Sequence, residues 1–138
     1  SLLISSVKYA QGNNLNIKAR IKGYAGHAHD PGWFTTAPIP ATNKLLESLN
    51  WSADEVDLWE VNEAFAVVPM AFMKELKIPR EKINVNGGAC SLGHPIGASG
   101  ARILVSLINS LSLRGLKKGV AAICIGGGEA LAIAIEVD

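Results

Sequence analysis

The carboxyl-terminal end of the chain constrains its fold most. VAAICI (120–125) and ALAIAIEV (130–137) are apolar runs of strand length, and the GGGE between them makes a tight hairpin. Just before this pair, residues from Gly97 to Arg114 read as a long amphipathic helix with Ile103, Leu104, Leu107, Ile108 and Leu111 on one face. Upstream, strand-like and helix-like segments alternate. LLIS (2–5) predicts a short strand, and Val7 to Ala10 a turn or two of helix ending at Gly12. IKARIKGYAGHA (17–28) alternates basic or small residues with apolar ones, as a strand does. DPGW (30–33) is a turn, and TAPIPA places two prolines ahead of a helix over 41–51. Ser52 and Glu55 have the spacing of a capping box. DLWEVN (57–62) is a strand ending at Asn62, and EAFAVVPMAFMKELKI (63–78) is a helix that Pro69 should kink. INVN (83–86) reads as a short buried strand. Alternation that finishes in an antiparallel pair implies a layered α/β domain with a mixed sheet.

The 138 residues suffice for one domain with a real core. An apolar share of 49% against only 18% charged residues implies more buried surface than a small soluble domain usually has. There is no initiator Met, and the first residues read as a strand already under way, so a longer parent protein is expected. A net charge of +1 with no stripe of Lys or Arg speaks against nucleic acid as a partner. The longest apolar run, AFAVVPMAFM, is broken by Pro69 and falls short of the roughly 20 residues a membrane span needs, so no membrane insertion is expected. Cys90 and Cys124 are far apart and form no CxxC pair. That usage fits a reducing, cytoplasmic setting, with an organelle matrix as the other option. No signal peptide is visible.

Three places combine a strand end with a loop or helix start, the position where α/β sheets gather their sites. At VNEAF (61–65), Asn62 offers an amide that can hold an oxygen or a water, or simply cap the next helix. Glu63 would sit in that helix's first turn and favour its dipole. In NGGACSLGHPIGASG (86–100), His94 stands between Gly93 and Pro95, directly before a helix. The positive end of a helix disfavours imidazolium, which suits His94 to act as a base, and Pro95 keeps its backbone extended. A histidine satisfied by loop hydrogen bonds is the alternative. Cys124 closes an apolar strand and is followed by Gly126, Gly127 and Gly128, whose N–H groups can cup a developing oxyanion. Inert packing is the usual role of a buried cysteine, and it is the expectation for Cys90. GHPIGASG is neither GxGxxG nor a P-loop. His27, His29 and Asp30 lack a further ligand at a fixed spacing, so no metal is expected.

Taken together, VNEAFA, NVNGGACSLGHPIGASGARIL and CIGGGEA closely resemble the C-terminal domain of the thiolases. Order and spacing agree over essentially the whole chain, with APIPAT (37–42) close to the GPIPAT-like stretch of that family. Cys90, Ser91 and Pro69 depart from the usual pattern without touching its functional positions. The resemblance implies one thiolase-like layered domain over 1–138, with a mixed five-stranded sheet covered by helices. It implies an acyl-CoA acyltransferase that condenses two acetyl-CoA or cleaves 3-ketoacyl-CoA through an acyl-cysteine, as in fatty acid metabolism. His94 would activate the nucleophilic cysteine and, with a water held by Asn62, stabilise an enolate. Cys124 would move the α-proton, the N–H of Gly126 would hold the acyl-enzyme oxygen, and Phe65 would line the substrate side. The nucleophile would lie on an N-terminal domain outside these residues. Acyl-CoA and CoA are the implied substrates, with no cofactor, and a homodimer or tetramer is the implied full-length state. An idle thiolase-like domain kept for dimerisation or lipid binding is the main alternative. A ketoacyl synthase, which generally carries His where Cys124 stands, ranks last.

Overall fold

The computed structural model describes residues 1–137. Helix α1 (Val7–Gly12) opens at Ser6, whose hydroxyl accepts the N–H of Tyr9. Strand β1 (Arg20–Ala28) leads through a 3-10 turn at Pro31–Thr36 into α2 (Pro38–Leu49). Then come β2 (Leu58–Val61), α3 (Val67–Leu76), the single turn α4 (Ala89–Leu92) and the long α5 (Ser99–Arg114). The hairpin of β3 (Lys118–Ile125) and β4 (Glu129–Glu136) ends the domain. The strands lie in the order β1-β4-β3-β2, with β2 parallel to β3 and the other pairs antiparallel.

The sheet is therefore mixed, as expected, but among the described residues it has four strands rather than five. Two expected strands did not form. Leu3 and Ile4 are exposed (86% and 69%) and residues 1–6 have no strand partner, so the apolar run is present without a sheet edge beside it. In INVN only Ile83 bridges to Trp59, because Asn84 turns left-handed at φ 45° and ends the extended run.

Helices cover both faces. On one, α2 and α3 bury Leu45, Phe72 and Val68 against Trp59, Val61, Val120 and Ala132. Trp59 and Phe72 meet edge to face at 5.6 Å between ring centroids, an arrangement aromatic pairs favour. On the other face, α5 lays Ile103, Leu107 and Leu111 over Leu58, Ala121 and Ile135. The strand β2 is buried on both sides as a result, which is why its one charge, Glu60, must pair with Arg102 of α5 at 3.3 Å.

Prolines open helices here. Pro38 and Pro40 lie in the first turn of α2, not before it, and Pro69 is the third residue of α3. No kink follows at Pro69, because the first N–H groups of a helix have no intrahelical acceptor to lose. The helix α3 starts later than its apolar sequence suggests, since residues 62–66 form the turn that leaves β2.

Candidate active site

Parallel pairing of β2 and β3 brings their carboxyl ends to one edge of the sheet. Asn62 follows β2 directly, and its N–H donates to the Ala122 carbonyl of β3 at 2.9 Å. Two residues beyond Ala122, Cys124 is buried within β3 opposite Ala130. Burial pushes its thiol pKa up, so at neutral pH it holds its proton until a strong base forms nearby. Past Ile125 the chain turns through Gly126, Gly127 and Gly128. The last two have φ near +90°, a region that suits glycine. Gly128 must also stay bare, because a Cβ there would collide with the His29 carbonyl. Gly126 has open space around it.

The second arm of the site carries no strand. Asn84 takes over where pairing stops: its Oδ1 accepts the Val61 N–H at 2.8 Å, and its Nδ2 donates to the Val61 carbonyl at 2.9 Å. A side-chain amide thus imitates the next strand. The same Nδ2 reaches Glu63 Oε1 at 2.9 Å, and Glu63 Oε2 accepts the Cys90 N–H at 2.9 Å. Glu63 is therefore not a first-turn helix residue, as its place before an apolar run suggests. It is a brace between two loop segments.

Beyond α4, Gly93 at φ +94° reverses the chain and His94 swings back toward Asn62. Its Nε2 lies 3.3 Å from Asn62 Nδ2, and its Nδ1 lies 2.6 Å from Ser99 Oγ. The fully buried Ser99 donates its one hydroxyl hydrogen to the Pro95 carbonyl at 3.1 Å. Nδ1 must then carry the ring proton, and Nε2 turns a lone pair toward the Asn62 amide. That is the tautomer of a base facing the site. Asn62 Oδ1 is buried with no partner among the described residues.

The structure thus joins Asn62 and His94 in direct contact and sets Cys124 and Gly126 at the end of the adjoining strand. Phe65, three residues after Asn62, is exposed (59%) and meets Phe34 edge to face, with 6.1 Å between centroids. Ser99 and Asn84 escaped the sequence reading. The only available signal for Ser99 was its place one helical turn after Pro95. Cys90 is corrected outright: it is exposed, not buried. Its thiol pKa is raised first by desolvation and then by the neighbouring Glu63. The His27 and His29 rings have partners of their own, Lys44 at 3.2 Å and the Trp33 carbonyl at 2.8 Å.

A family model described as the thiolase C-terminal domain matches residues 15–137. The chain belongs to the thiolase family. This thiolase domain is 46% identical over 138 residues to a probable acetyl-CoA acetyltransferase of Escherichia coli, covering all of this chain and 35% of that protein. Its fold superposes on the crystal structure of the Bacillus anthracis acetyl-CoA acetyltransferase with a TM-score of 0.93 at 49% identity, covering 96% of this chain and 34% of that one. A thiolase from Ascaris suum, solved in complex with coenzyme A, gives 0.91 at 44%, with coverages of 97% and 35%. The chain spans about a third of the length of the curated relatives it matches. Among the described residues, no helix is long and apolar enough to cross a membrane.

Proposed function

We propose that this thiolase domain is the proton-handling half of an acyl-CoA acyltransferase, one that condenses two acetyl-CoA or cleaves a short 3-ketoacyl-CoA. The observation that carries the reading is the Asn62–His94 contact, in which the His94 Nε2 lone pair faces the Asn62 amide. A neutral imidazole so oriented can take the proton of a cysteine nucleophile supplied by another part of the protein. That cysteine then attacks an acyl-CoA thioester, and the acyl group stays on sulfur. The departing CoA thiolate is the base that takes the proton of Cys124 and leaves as the thiol, while His94 keeps the proton it took. Once protonated, the same Nε2 is a donor, and with a water on the free Oδ1 of Asn62 it holds the enolate oxygen of the next acetyl-CoA.

Cys124 fits the remaining proton. The thiolate left when its proton went to CoA takes a proton from the α-carbon of acetyl-CoA, and the resulting carbanion attacks the acyl-cysteine carbonyl. A carbon–carbon bond forms, the nucleophilic cysteine leaves as thiolate and recovers its proton from His94, and the raised pKa of Cys124 suits it to hold the proton it has gained. The N–H of Gly126 supplies the donor for the acyl oxygen during that attack. Thiolysis runs the same steps backward. Phe65 lines the acyl side.

Its partner is the protein's own nucleophile-bearing domain, within a homodimer or tetramer in the cytoplasm. An apolar groove lined by Leu2, Ile17, Leu104, Ile108, Ile133 and Ile135 supports such packing. Acetoacetyl-CoA thiolysis by this chain, alone and then mixed with the amino-terminal part of its parent, tests the reading. Silence alone with activity on mixing supports it. Robust activity of the chain alone would make Cys90 or Cys124 the nucleophile and overturn the mechanism.

A further inference from the structure

Gly88 stands immediately before α4, where a helix is ordinarily closed by a side-chain oxygen accepting the N–H of the second or third helical residue. Glycine has no such oxygen. Its backbone, at φ −133° and ψ −162°, is extended geometry open to any residue, so conformational freedom does not explain the choice. Space does. A Cβ on Gly88 would fall inside the Glu63 carboxylate, against Cδ and both oxygens.

That carboxylate does the work of the missing cap. Glu63 Oε2 accepts the N–H of Cys90, the second residue of α4, at 2.9 Å. Its Oε1 accepts from Asn84, whose remaining bonds go to Val61. Desolvation works against the charge, yet the Cys90 N–H and the Asn84 amide hold the Glu63 carboxyl below its ordinary range. Glu63 therefore stays ionised at neutral pH, as an acceptor of two hydrogen bonds should. In the sequence it follows Asn62 directly, and the residue it caps lies one helical turn before His94.

We propose that Glu63 is a positioning residue for His94: it caps α4 from outside the helix and ties the loop that carries His94 to the strand end that carries Asn62. Gly88 is its counterpart, kept bare to admit the carboxylate. The proposal rests on the reading of His94 and Asn62 as a catalytic pair.

A double-substitution cycle on the full-length protein tests it, using E63A, G88A and E63A/G88A, with E63Q as the conservative variant. Each is read by kcat and KM for acetoacetyl-CoA thiolysis, by urea unfolding, and by the ring-nitrogen shifts of His94. Alone, G88A lowers kcat about 100-fold, the scale of a misplaced catalytic group, with KM little changed. In the E63A background the same substitution adds less than about threefold, because the collision partner has gone. E63Q, which keeps one acceptor oxygen, recovers at least about tenfold of the E63A loss. The His94 shifts move in E63A and return toward the original in E63Q. Equal G88A factors in both backgrounds would overturn the proposal, as would E63A with unchanged kcat and His94 shifts. Absence of thiolysis in the unsubstituted protein would sink the enzymatic reading alone. The unfolding midpoints and ring shifts would still decide whether Glu63, Gly88 and His94 form one unit.

Discussion

Cys124 and His94 reach the same edge of the sheet by opposite means. Cys124 rides on a strand paired with β4 at its own position and with β2 up to Ala122, so backbone hydrogen bonds place it and no single side chain does. His94 lies on backbone that pairs with nothing. Its position depends on the side-chain hydrogen bonds of Asn84, Glu63 and Ser99 and on the positive-φ backbone of Gly93, each of which one substitution disturbs. A ladder distributes the task of placement over many bonds, whereas a braced loop concentrates it in a few buried polar side chains. The two arms should therefore respond differently to mutation.

The largest difference concerns chemistry. His94→Ala in the full-length protein should slow both acyl transfer from CoA to the nucleophilic cysteine and carbon–carbon bond formation, each by a factor on the order of 10²–10⁴. Cys124→Ser should slow only the carbon–carbon step comparably and leave acyl transfer from CoA within about threefold, since CoA leaves readily as its thiolate. Rapid-quench measurement of the two half-reactions separates them. Equal losses in both half-reactions for the Cys124 variant would abolish the division of roles between the arms.

Placement comes next. Asn84→Ala removes the two bonds to Val61 and the one to Glu63 from a buried site. Leaving those groups unpaired should cost about 2–4 kcal/mol, seen as a lower urea midpoint at unchanged m. A loss under about 1 kcal/mol would mean that the loop is held by something other than its polar braces.

What the sequence disclosed follows the same division. The hairpin and α5 were legible because their apolar periods are set by local geometry, and GGGE can hardly be anything but a turn. INVN was not, since Asn84 after Ile83 has the pattern of a strand, and its left-handed turn is stabilised by contacts with Val61 across 23 residues of chain. Glu63 looked like a helix-dipole residue because its acceptor role depends on Cys90, 27 residues away. Pro69 looked like a kink because the start of α3 is set by the site turn before it, not by its own sequence. Asn62, His94 and Cys124 were singled out through their motifs and strand-end positions, and the fold brings Asn62 and His94 into contact. Their supports were invisible because they are tertiary.

A third test concerns the one charge buried within the ladder. Desolvation raises the Glu60 pKa to about 7, against the pull of Arg102 and with some help from Glu63. The folded protein then holds a proton on Glu60 that the unfolded chain releases at the ordinary carboxylate pKa. Stability should fall as pH rises from about 4.5 to 7, by on the order of 3 kcal/mol in all, and level off above. Glu60→Gln should flatten that slope while keeping an acceptor for Arg102. Unfolding free energies at both ends of the window check it, and an unchanged slope in the variant would assign the effect to another group.

The smallest effect lies in the hairpin turn and sharpens the contrast within one arm. Gly127, at φ near +90°, lies where an L side chain is strained, so Gly127→Ala should cost about 1–2 kcal/mol. Gly126 has no atom within 4 Å of where a Cβ would stand and no positive φ. Gly126→Ala should shift stability by less than about 0.5 kcal/mol. The substitution also leaves its N–H in place, so thiolysis should survive if the backbone donor alone is needed there. A large stability loss at Gly126 would show that the turn, too, is braced by contacts rather than set by its ladder.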